Sequence, residues 1–110
     1  MGRVNVQYDE AALRLFCERW KVRELCLFGS ALREDFNEES DVDVLVSFAP
    51  GADWSWADWF QMTDEIKEVF GRKVDLVSRS AVERSENPYR KRHILSHLET
   101  LYVAGRGMAL

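Results

Sequence analysis

The sequence predicts an α/β (α+β) fold in which helices pack on a single small mixed β-sheet. Segments with apolar residues at three- and four-residue spacing alternate along the chain with short runs rich in valine, leucine and phenylalanine. Both prolines and the glycines lie at the predicted ends of these segments. A chain of 110 residues has room for one domain, so we expect a single domain over residues 1–110, with 105–110 as a frayed tail.

Each predicted element begins or ends at a residue that favours such a boundary. Asp9 can cap the first helix, Gly71 can end a helix, and Asn87 with Pro88 can open the last one. In chain order we expect a helix from Asp9 to about Trp20, a strand over Val22–Phe28, the start of a short helix at Ala31–Arg33, a strand over Asp41–Phe48, a helix over residues 56–70, a strand over Lys73–Val77 and a helix from Asn87 to Gly105.

Apolar residues at helical spacing assign the core-facing sides of the last two long helices. The buried stripe predicted for the last helix is Ile94, Leu95, Leu98, Leu101 and Tyr102. In the helix over residues 56–70, core packing accounts for Trp59 and Phe60. Two interpretations stay open for Trp54 and Trp56, which lie where this helix begins: core packing, or an exposed pair that forms a protein interface.

Charge and hydropathy limit the functions that the chain can have. Fifteen basic and 19 acidic residues give a net charge of −4, which disfavours a protein that grips nucleic-acid backbone. No window approaches the ~18 apolar residues of a membrane span, and the first residues do not look like a signal peptide. We therefore expect a cytoplasmic protein with no membrane partner. Cys17 and Cys26 lie among apolar residues and are predicted to be buried reduced thiols.

Acidic residues interrupt two of the predicted strands. Asp41 and Asp43 are two apart and therefore face the same way, while Val42, Val44 and Val46 line the other face of the strand. Asp75 lies in the apolar frame of the next strand and can lie beside the pair if the two strands are neighbours. Neighbouring carboxylates repel unless a cation compensates, and oxygen ligands suit Mg²⁺ or Mn²⁺. Three carboxylates can hold two such ions for phosphoryl or nucleotidyl transfer.

A Gly-Ser pair follows the first strand. Gly29 allows a tight turn, Ser30 supplies a hydroxyl, and the N–H groups of the helix expected after them would form a phosphate site. Arg33 could reach an anion there, or could pair with Glu34 or Asp35 on the surface. These residues and the three aspartates together describe a site for a nucleoside triphosphate with metal ions.

The spacing of these residues resembles a known signature. Ser30 and Asp41 are separated by ten residues, and Gly-Ser-x10-Asp-x-Asp is typical of the DNA polymerase β-like nucleotidyltransferase superfamily. The segments GSALREDF and SDVDVLV are similar to its minimal nucleotidyltransferase (MNT) branch, and so is the ending NPYRKRHILSHLETLY. The resemblance covers almost the whole chain and implies a sheet like the palm of these enzymes.

The resemblance also implies an activity and a partner. MNT proteins are commonly the antitoxins of HEPN-domain RNase toxins, and they transfer AMP from ATP to a tyrosine of the toxin. By position, Gly29 and Ser30 would hold the triphosphate and Arg33 would assist them. Asp41 and Asp43 would bind both metal ions, and Asp75 would bind the ion that activates the attacking hydroxyl and would help to remove its proton.

One departure from the superfamily shapes these expectations. The chain has no room for the separate fingers or substrate domain of the larger enzymes, so the acceptor must be a partner that brings its own surface. Two other hypotheses remain: an antitoxin that neutralises by contact alone, and an enzyme that modifies a small molecule such as an aminoglycoside. The acidic net charge disfavours nucleic acid as the acceptor.

Two features of the last segment each have two interpretations. His93 and His97 have a spacing that can bind zinc, but no third ligand is near in sequence, so we expect surface histidines. The basic residues within 84–93 could face an acidic partner or the triphosphate, although a solvated helix face is the simpler interpretation.

Overall fold

The computed structural model describes residues 6–37 and 39–105 and contains one mixed sheet with helices on both faces. The elements are the helices α1 (Glu10–Arg19), α2 (Trp56–Phe70), α3 (Arg79–Glu83) and α4 (Pro88–Ser96), and the strands β1 (Val22–Phe28), β2 (Val42–Phe48), β3 (Val74–Ser78) and β4 (Glu99–Val103). Residues 106–110, on which most of the predicted frayed tail falls, lie outside the described residues. In the described part of the chain, no helix is long and apolar enough to cross a membrane.

The sheet has the strand order β3-β2-β1-β4. β1 lies near its centre and pairs antiparallel with both β2 and β4, whereas β2 and β3 are parallel. The parallel pair is possible because α2 forms the crossover between β2 and β3. This arrangement confirms the predicted mixed sheet and makes the strands that carry Asp43 and Asp75 direct neighbours.

Alternation along the strands separates two hydrophobic clusters. On one face, α1 and α2 pack against the valines of β2 and against Leu25 and Leu27 of β1, all of which are fully buried. On the other face, Val82 of α3 and Ile94 of α4 cover Cys26, Phe28 and Leu45. The second face is covered over only part of its length, and Asp43 and Asp75 lie on it.

Caps confirm the predicted starts of α1 and α4 and the predicted end of α2. Asp9 accepts a hydrogen bond from the Ala12 N–H, and Asn87 accepts from the two N–H groups that follow Pro88. Ser55 and Asp58 form a capping box at the start of α2. Gly71 ends α2 in the left-handed conformation, with φ +67°.

The predicted last helix is wrong beyond Ser96. α4 ends there, His97 is extended, and residues 99–103 form β4. β4 supplies hydrogen-bond partners for the N–H and C=O groups along one side of β1, which would otherwise have no neighbouring strand. The run from Thr100 to Val103 is also rich in residues that favour strands. The predicted stripe is accordingly divided: Leu95 and Leu98 pack on the α3–α4 face, whereas Leu101 and Tyr102 pack on the α1–α2 face.

The aromatic residues near α2 also differ from expectation. Trp54 is packed edge-on against Trp20 and Phe48, which favours the core interpretation for this residue. Trp56 is 79% exposed, so the two tryptophans do not form an exposed pair. Trp59 packs against the core as predicted, but the assignment of Phe60 to the core is wrong because its exposed fraction is 66%.

The two cysteines are free thiols buried in the core, as predicted. Burial, with a smaller effect of Glu18, raises the pKa of Cys17 to about 12, and burial also raises the pKa of Cys26. Only the thiolate reacts with a disulfide reagent such as DTNB. At pH 8 we expect Cys17 to react roughly a thousandfold more slowly in the native protein than after unfolding, because its thiolate fraction falls by that factor. Rapid titration of both thiols in the native protein would contradict this.

Candidate active site

Two of the predicted site residues face each other across neighbouring strands. Asp43 of β2 and Asp75 of β3 are partners in the parallel register. Each is flanked by residues that are buried on the opposite face, Val42 and Val44 around Asp43 and Val74 before Asp75. Because strand side chains alternate, burying these neighbours directs both carboxylates to the α3–α4 face. Asp41 lies one residue before β2 and is exposed.

The residues that follow β1 hold one of these carboxylates. Gly29–Leu32 form a single 3₁₀ turn, here called the Gly-Ser turn. The Ser30 N–H donates to Oδ2 of Asp43 at 2.9 Å. The Ser30 hydroxyl lies 2.9 Å from the same oxygen and 2.8 Å from the Asp41 carbonyl oxygen, so its one proton is shared between them. Ser30 therefore connects the turn to both aspartates of the Asp-x-Asp motif.

Glycine is required at position 29 for two reasons. The residue has φ +58°, a conformation that residues with a side chain rarely adopt. A Cβ placed there would also lie 2.5 Å from Oδ2 of Asp43, which is too close for any real contact. The sequence motif begins with glycine because the backbone must approach the Asp43 carboxylate this closely.

The α-helix predicted to follow the Gly-Ser pair is wrong, whereas the phosphate-binding role of the pair stays a prediction. The turn after Gly29 is four residues long and is not continued as an α-helix. The Ser30 N–H is already bonded to a carboxylate, which attracts this donor more strongly than water does. Arg33 is exposed and bonds Asp35 through two nitrogens, at 3.1 and 3.2 Å, as one of the two sequence interpretations expected.

The three aspartates share one electrostatic environment. Partial burial raises the pKa of Asp75, the negative charges of Asp43 and Asp41 raise it further, and Arg90 opposes them. Arg90 belongs to α4, so a cation from the basic segment over 84–93 acts on Asp75. The sequence analysis pointed to this basic segment as a whole, and nothing in the sequence distinguishes Arg90 from the other basic residues in it.

The donor set fits a hard divalent cation. Carboxylate oxygens are the ligands that Mg²⁺ and Mn²⁺ prefer, and a cation would relieve the repulsion that raises the pKa of Asp75. Over residues 6–37 and 39–105, however, no three acidic, histidine or cysteine side chains already converge on one point in a metal-binding arrangement. Asp43 and Asp75 thus present ligands of this type on neighbouring strands, and Asp41 lies on the segment before β2.

Arg72 holds the segment that leads into Asp41 and was missed by the sequence analysis. Its guanidinium donates to the carbonyl oxygens of Asn37 and Ser40 and lies 4.5 Å from the centre of the Phe36 ring. These contacts join the loop before β2 to the second residue after the end of α2. A lone arginine between a helix and a strand carries no sequence signal for this role.

We expect Arg72→Ala to release this loop. Losing hydrogen bonds from a charged donor should lower the free energy of unfolding by about 2 kcal/mol, and the released loop should be cleaved faster by trypsin after Arg33. Thermal unfolding and the rate of tryptic cleavage after Arg33 measure the two effects. Arg72→Lys should be intermediate, since an ammonium group can still reach one carbonyl. The exposed Arg14, changed to alanine, is the control; equal effects of Arg14→Ala and Arg72→Ala would contradict the role.

Comparison with known proteins identifies the family. The model of the nucleotidyltransferase domain family matches residues 10–101. A protein of Methanocaldococcus jannaschii named "Putative protein adenylyltransferase MJ0128" is 36% identical over 90 residues, which cover 82% of this chain and 85% of that protein. The protein adenylyltransferase MntA of Thermococcus cleftensis is 36% identical over 66 residues, which cover 60% of this chain and 65% of that protein.

Solved structures have the same fold. A chain of a toxin–antitoxin crystal structure with AMP-PNP superimposes with a TM-score of 0.64 at 18% identity, covering 90% of this chain and 77% of that one. A chain of a structure described as the tri-AMPylated Shewanella oneidensis HEPN toxin with its MNT antitoxin gives 0.56 at 18% identity, covering 91% and 74%. Because the family model matches residues 10–101, this chain belongs to the nucleotidyltransferase domain family.

Proposed function

We propose that this nucleotidyltransferase transfers AMP from ATP to a tyrosine hydroxyl of a HEPN-type RNase toxin and so neutralises it as an antitoxin. The observation that carries the proposal is the carboxylate pair of Asp43 and Asp75, held beside the Gly-Ser turn. The names of the relatives MJ0128 and MntA, both adenylyltransferases, support protein as the acceptor. The AMP-PNP complex and the AMPylated HEPN complex, which share the fold, support ATP and the partner.

In the proposed reaction, the tyrosine oxygen attacks the α-phosphorus of ATP. The bond between the α- and β-phosphates breaks, pyrophosphate leaves, and the tyrosine proton is released. Asp75 is the residue we assign to receive this proton, because it lies beside Asp43 on the neighbouring strand. Gly29 and Ser30 would hold the triphosphate.

We assign Asp41, Asp43 and Asp75 as the ligands of two Mg²⁺ or Mn²⁺ ions. When bound, such ions neutralise the charge that builds up on the phosphoryl oxygens. Asp43 is suited to this role because its carboxylate is fixed by Ser30 on a buried strand. We also propose that the described residues act as one catalytic domain, with the acceptor supplied by the folded toxin.

The proposal is tested with labelled ATP, Mg²⁺ and a purified HEPN-type partner encoded beside the gene. We expect label on a tyrosine of the partner, located by mass spectrometry, and a loss of more than about 100-fold for Asp41→Asn with Asp43→Asn, because changes around metal ligands already cost 10- to 100-fold. Asp64→Asn, on the exposed side of α2, is the matched control.

Growth rescue in cells that express the toxin separates catalysis from contact. The double variant should fail to rescue growth while still binding the toxin. Full rescue by the double variant would instead support neutralisation by contact, and label that stays on a small molecule would overturn the protein acceptor.

A further inference from the structure

A pocket opens on the α3–α4 face of the sheet, next to Asp75 along β3. Its volume is about 260 Å³. The residues that line it are Val77, Ala81, Val82, Ser85 and Arg90. The pocket therefore lies between three elements: the end of β3, the short helix α3 and the first turn of α4.

Val77 connects this pocket to the candidate active site. It is two residues after Asp75 on β3, so both side chains project to the same face of the sheet. At a rise of about 3.3 Å per residue, their Cα atoms are about 7 Å apart, which is comparable to the length of a tyrosine side chain. A tyrosine ring held over Val77 can therefore bring its hydroxyl to the Asp75 carboxylate.

The direction of attack selects this side of the carboxylates for the acceptor. In an in-line displacement, the attacking oxygen and the leaving pyrophosphate lie on opposite sides of the phosphorus. The proposed function places the triphosphate at the Gly-Ser turn, which follows β1 and contacts Asp43 of β2. β3 lies on the other side of β2 from β1. The acceptor hydroxyl must therefore arrive from the side of β3, where Asp75 and the pocket lie.

The helix α4 passes both ends of this arrangement. At the Gly-Ser turn, a separate cavity is lined by Gly29 and Ser30 and by His93 and His97 from the end of α4. Arg90, in the first turn of the same helix, lines the pocket beside β3. The two openings are therefore on opposite sides of the carboxylates, as an in-line reaction requires.

The size and the lining of the pocket suit one aromatic side chain. Its volume is below the about 300–1,000 Å³ of small-molecule sites, so a single side chain fits it better than a whole ligand. Val77, Ala81 and Val82 offer apolar contacts to a ring. Arg90 can lie against the face of the ring, since guanidinium groups are attracted to aromatic faces. None of the described lining residues is acidic, which disfavours a polycationic acceptor such as an aminoglycoside.

We propose that this pocket receives the ring of the acceptor tyrosine and that Arg90 holds the ring with its hydroxyl directed at Asp75. The inference rests on the proposed transfer to tyrosine and adds the place where the acceptor binds, which the Gly-Ser and Asp-x-Asp signature leaves open. The tyrosine oxygen attacks the α-phosphorus, pyrophosphate leaves toward the Gly-Ser turn, and the proton passes to Asp75. The pocket residues set the affinity for the acceptor and take no part in the proton transfer.

The first test measures AMP transfer over a range of concentrations of the HEPN-type partner. Ala81→Leu fills the pocket and Arg90→Gln removes the guanidinium. Each should lower kcat/KM for the partner about tenfold, mainly through KM, and leave the affinity for ATP within about twofold. Ala11→Leu, on the exposed side of α1, and Arg92→Gln, on α4 outside the lining, are the matched controls and should change neither value by more than about twofold.

The second test does not need the partner. N-acetyl-tyrosinamide is titrated into the chain with Mg²⁺ and an ATP analogue that cannot react at its α-phosphate, while NMR follows the methyl signals of Val77, Ala81 and Val82. These signals should shift in the wild-type chain, and Ala81→Leu should weaken the binding about tenfold. N-acetyl-serinamide, which has a hydroxyl but no ring, should leave the signals unchanged.

The outcomes separate the pocket from the proposed function. Equal transfer by Ala81→Leu and the wild type, or methyl signals that do not respond to N-acetyl-tyrosinamide, overturns the pocket. A tenfold loss of ATP affinity in either variant also overturns it, because the nucleoside would then occupy the pocket. Circular dichroism and thermal unfolding confirm that the variants are folded. A chain that binds N-acetyl-tyrosinamide as expected but labels no HEPN-type partner would refute the proposed partner and leave the tyrosine pocket standing.

Discussion

Gly29→Ala is expected to lower AMP transfer by on the order of 100-fold while the chain remains folded. The new methyl group would lie 2.5 Å from Oδ2 of Asp43, so either the turn or the carboxylate must move. A displacement of about 1 Å in a catalytic group can cost about 100-fold in rate. The backbone conformation at φ +58° adds about 1–3 kcal/mol of strain. The transfer rate at saturating ATP and the unfolding temperature measure the two effects separately.

Gly71→Ala is the matched control for this prediction. Gly71 has a similar backbone angle, φ +67°, but a Cβ placed there meets nothing within 4 Å. The change should therefore cost about 1–2 kcal/mol of stability through the left-handed conformation and leave the transfer rate unchanged. If both alanine variants lost activity equally, backbone strain and not the contact with Asp43 would explain the effect.

Leu27→Ala should cause the largest loss of stability among the changes considered. Leu27 is fully buried on β1, between β2 and β4, and faces α1 and α2. Removing three carbon atoms from such a position lowers the free energy of unfolding by about 2–5 kcal/mol, because packing contacts are lost and a cavity remains. For a domain of this size, each kcal/mol lowers the unfolding temperature by about 4–8 °C. Denaturant unfolding gives the free energy, and calorimetry gives the temperature.

The same change at Leu15 is the control. Leu15 lies on α1 with 66% of its surface exposed, so Leu15→Ala should alter stability by no more than about 0.5 kcal/mol. A loss at Leu15 comparable to that at Leu27 would mean that the exposed face of α1 is covered in solution.

Local signals predicted most of the elements because each depends on residues close together in sequence. Asp9 and Asn87 cap helices through their own side chains, and the valines of β2 recur at every second position regardless of what lies beside them. The boundaries of β2 and β3 differ from the prediction by only one residue. These features are decided within a few residues of the chain.

β4 shows where local signals fail. The segment from Leu98 to Tyr102 fits helical spacing, yet it also contains residues that favour strands. The choice depends on β1, more than 70 residues earlier, whose edge provides hydrogen-bond partners for β4. α3 was missed because five residues, RSAVE, are too few to show a periodic pattern.

The candidate site likewise combines residues that the sequence predicted with contacts that only the structure shows. Sequence spacing singled out Gly29, Ser30, Asp41, Asp43 and Asp75 because the chemistry of the signature requires these residue types at these intervals. Spacing did not reveal that the Ser30 N–H is bonded to Asp43, or that Arg90 acts on Asp75. It also did not reveal that Arg72 fixes the loop before Asp41, because these contacts join residues 13 or more positions apart.

By itself, the sequence determined the mixed fold class, the helix caps, the buried thiols and the residues of the nucleotidyltransferase signature. Their patterns are short, and each has a direct physical cause in backbone geometry or side-chain chemistry. Only the tertiary structure decided that β4 completes the sheet and that Asp43 and Asp75 are partners in register. It alone placed His93 and His97 across a cavity from Ser30. Contacts between distant segments depend on how the whole sheet pairs, and no local pattern carries that information.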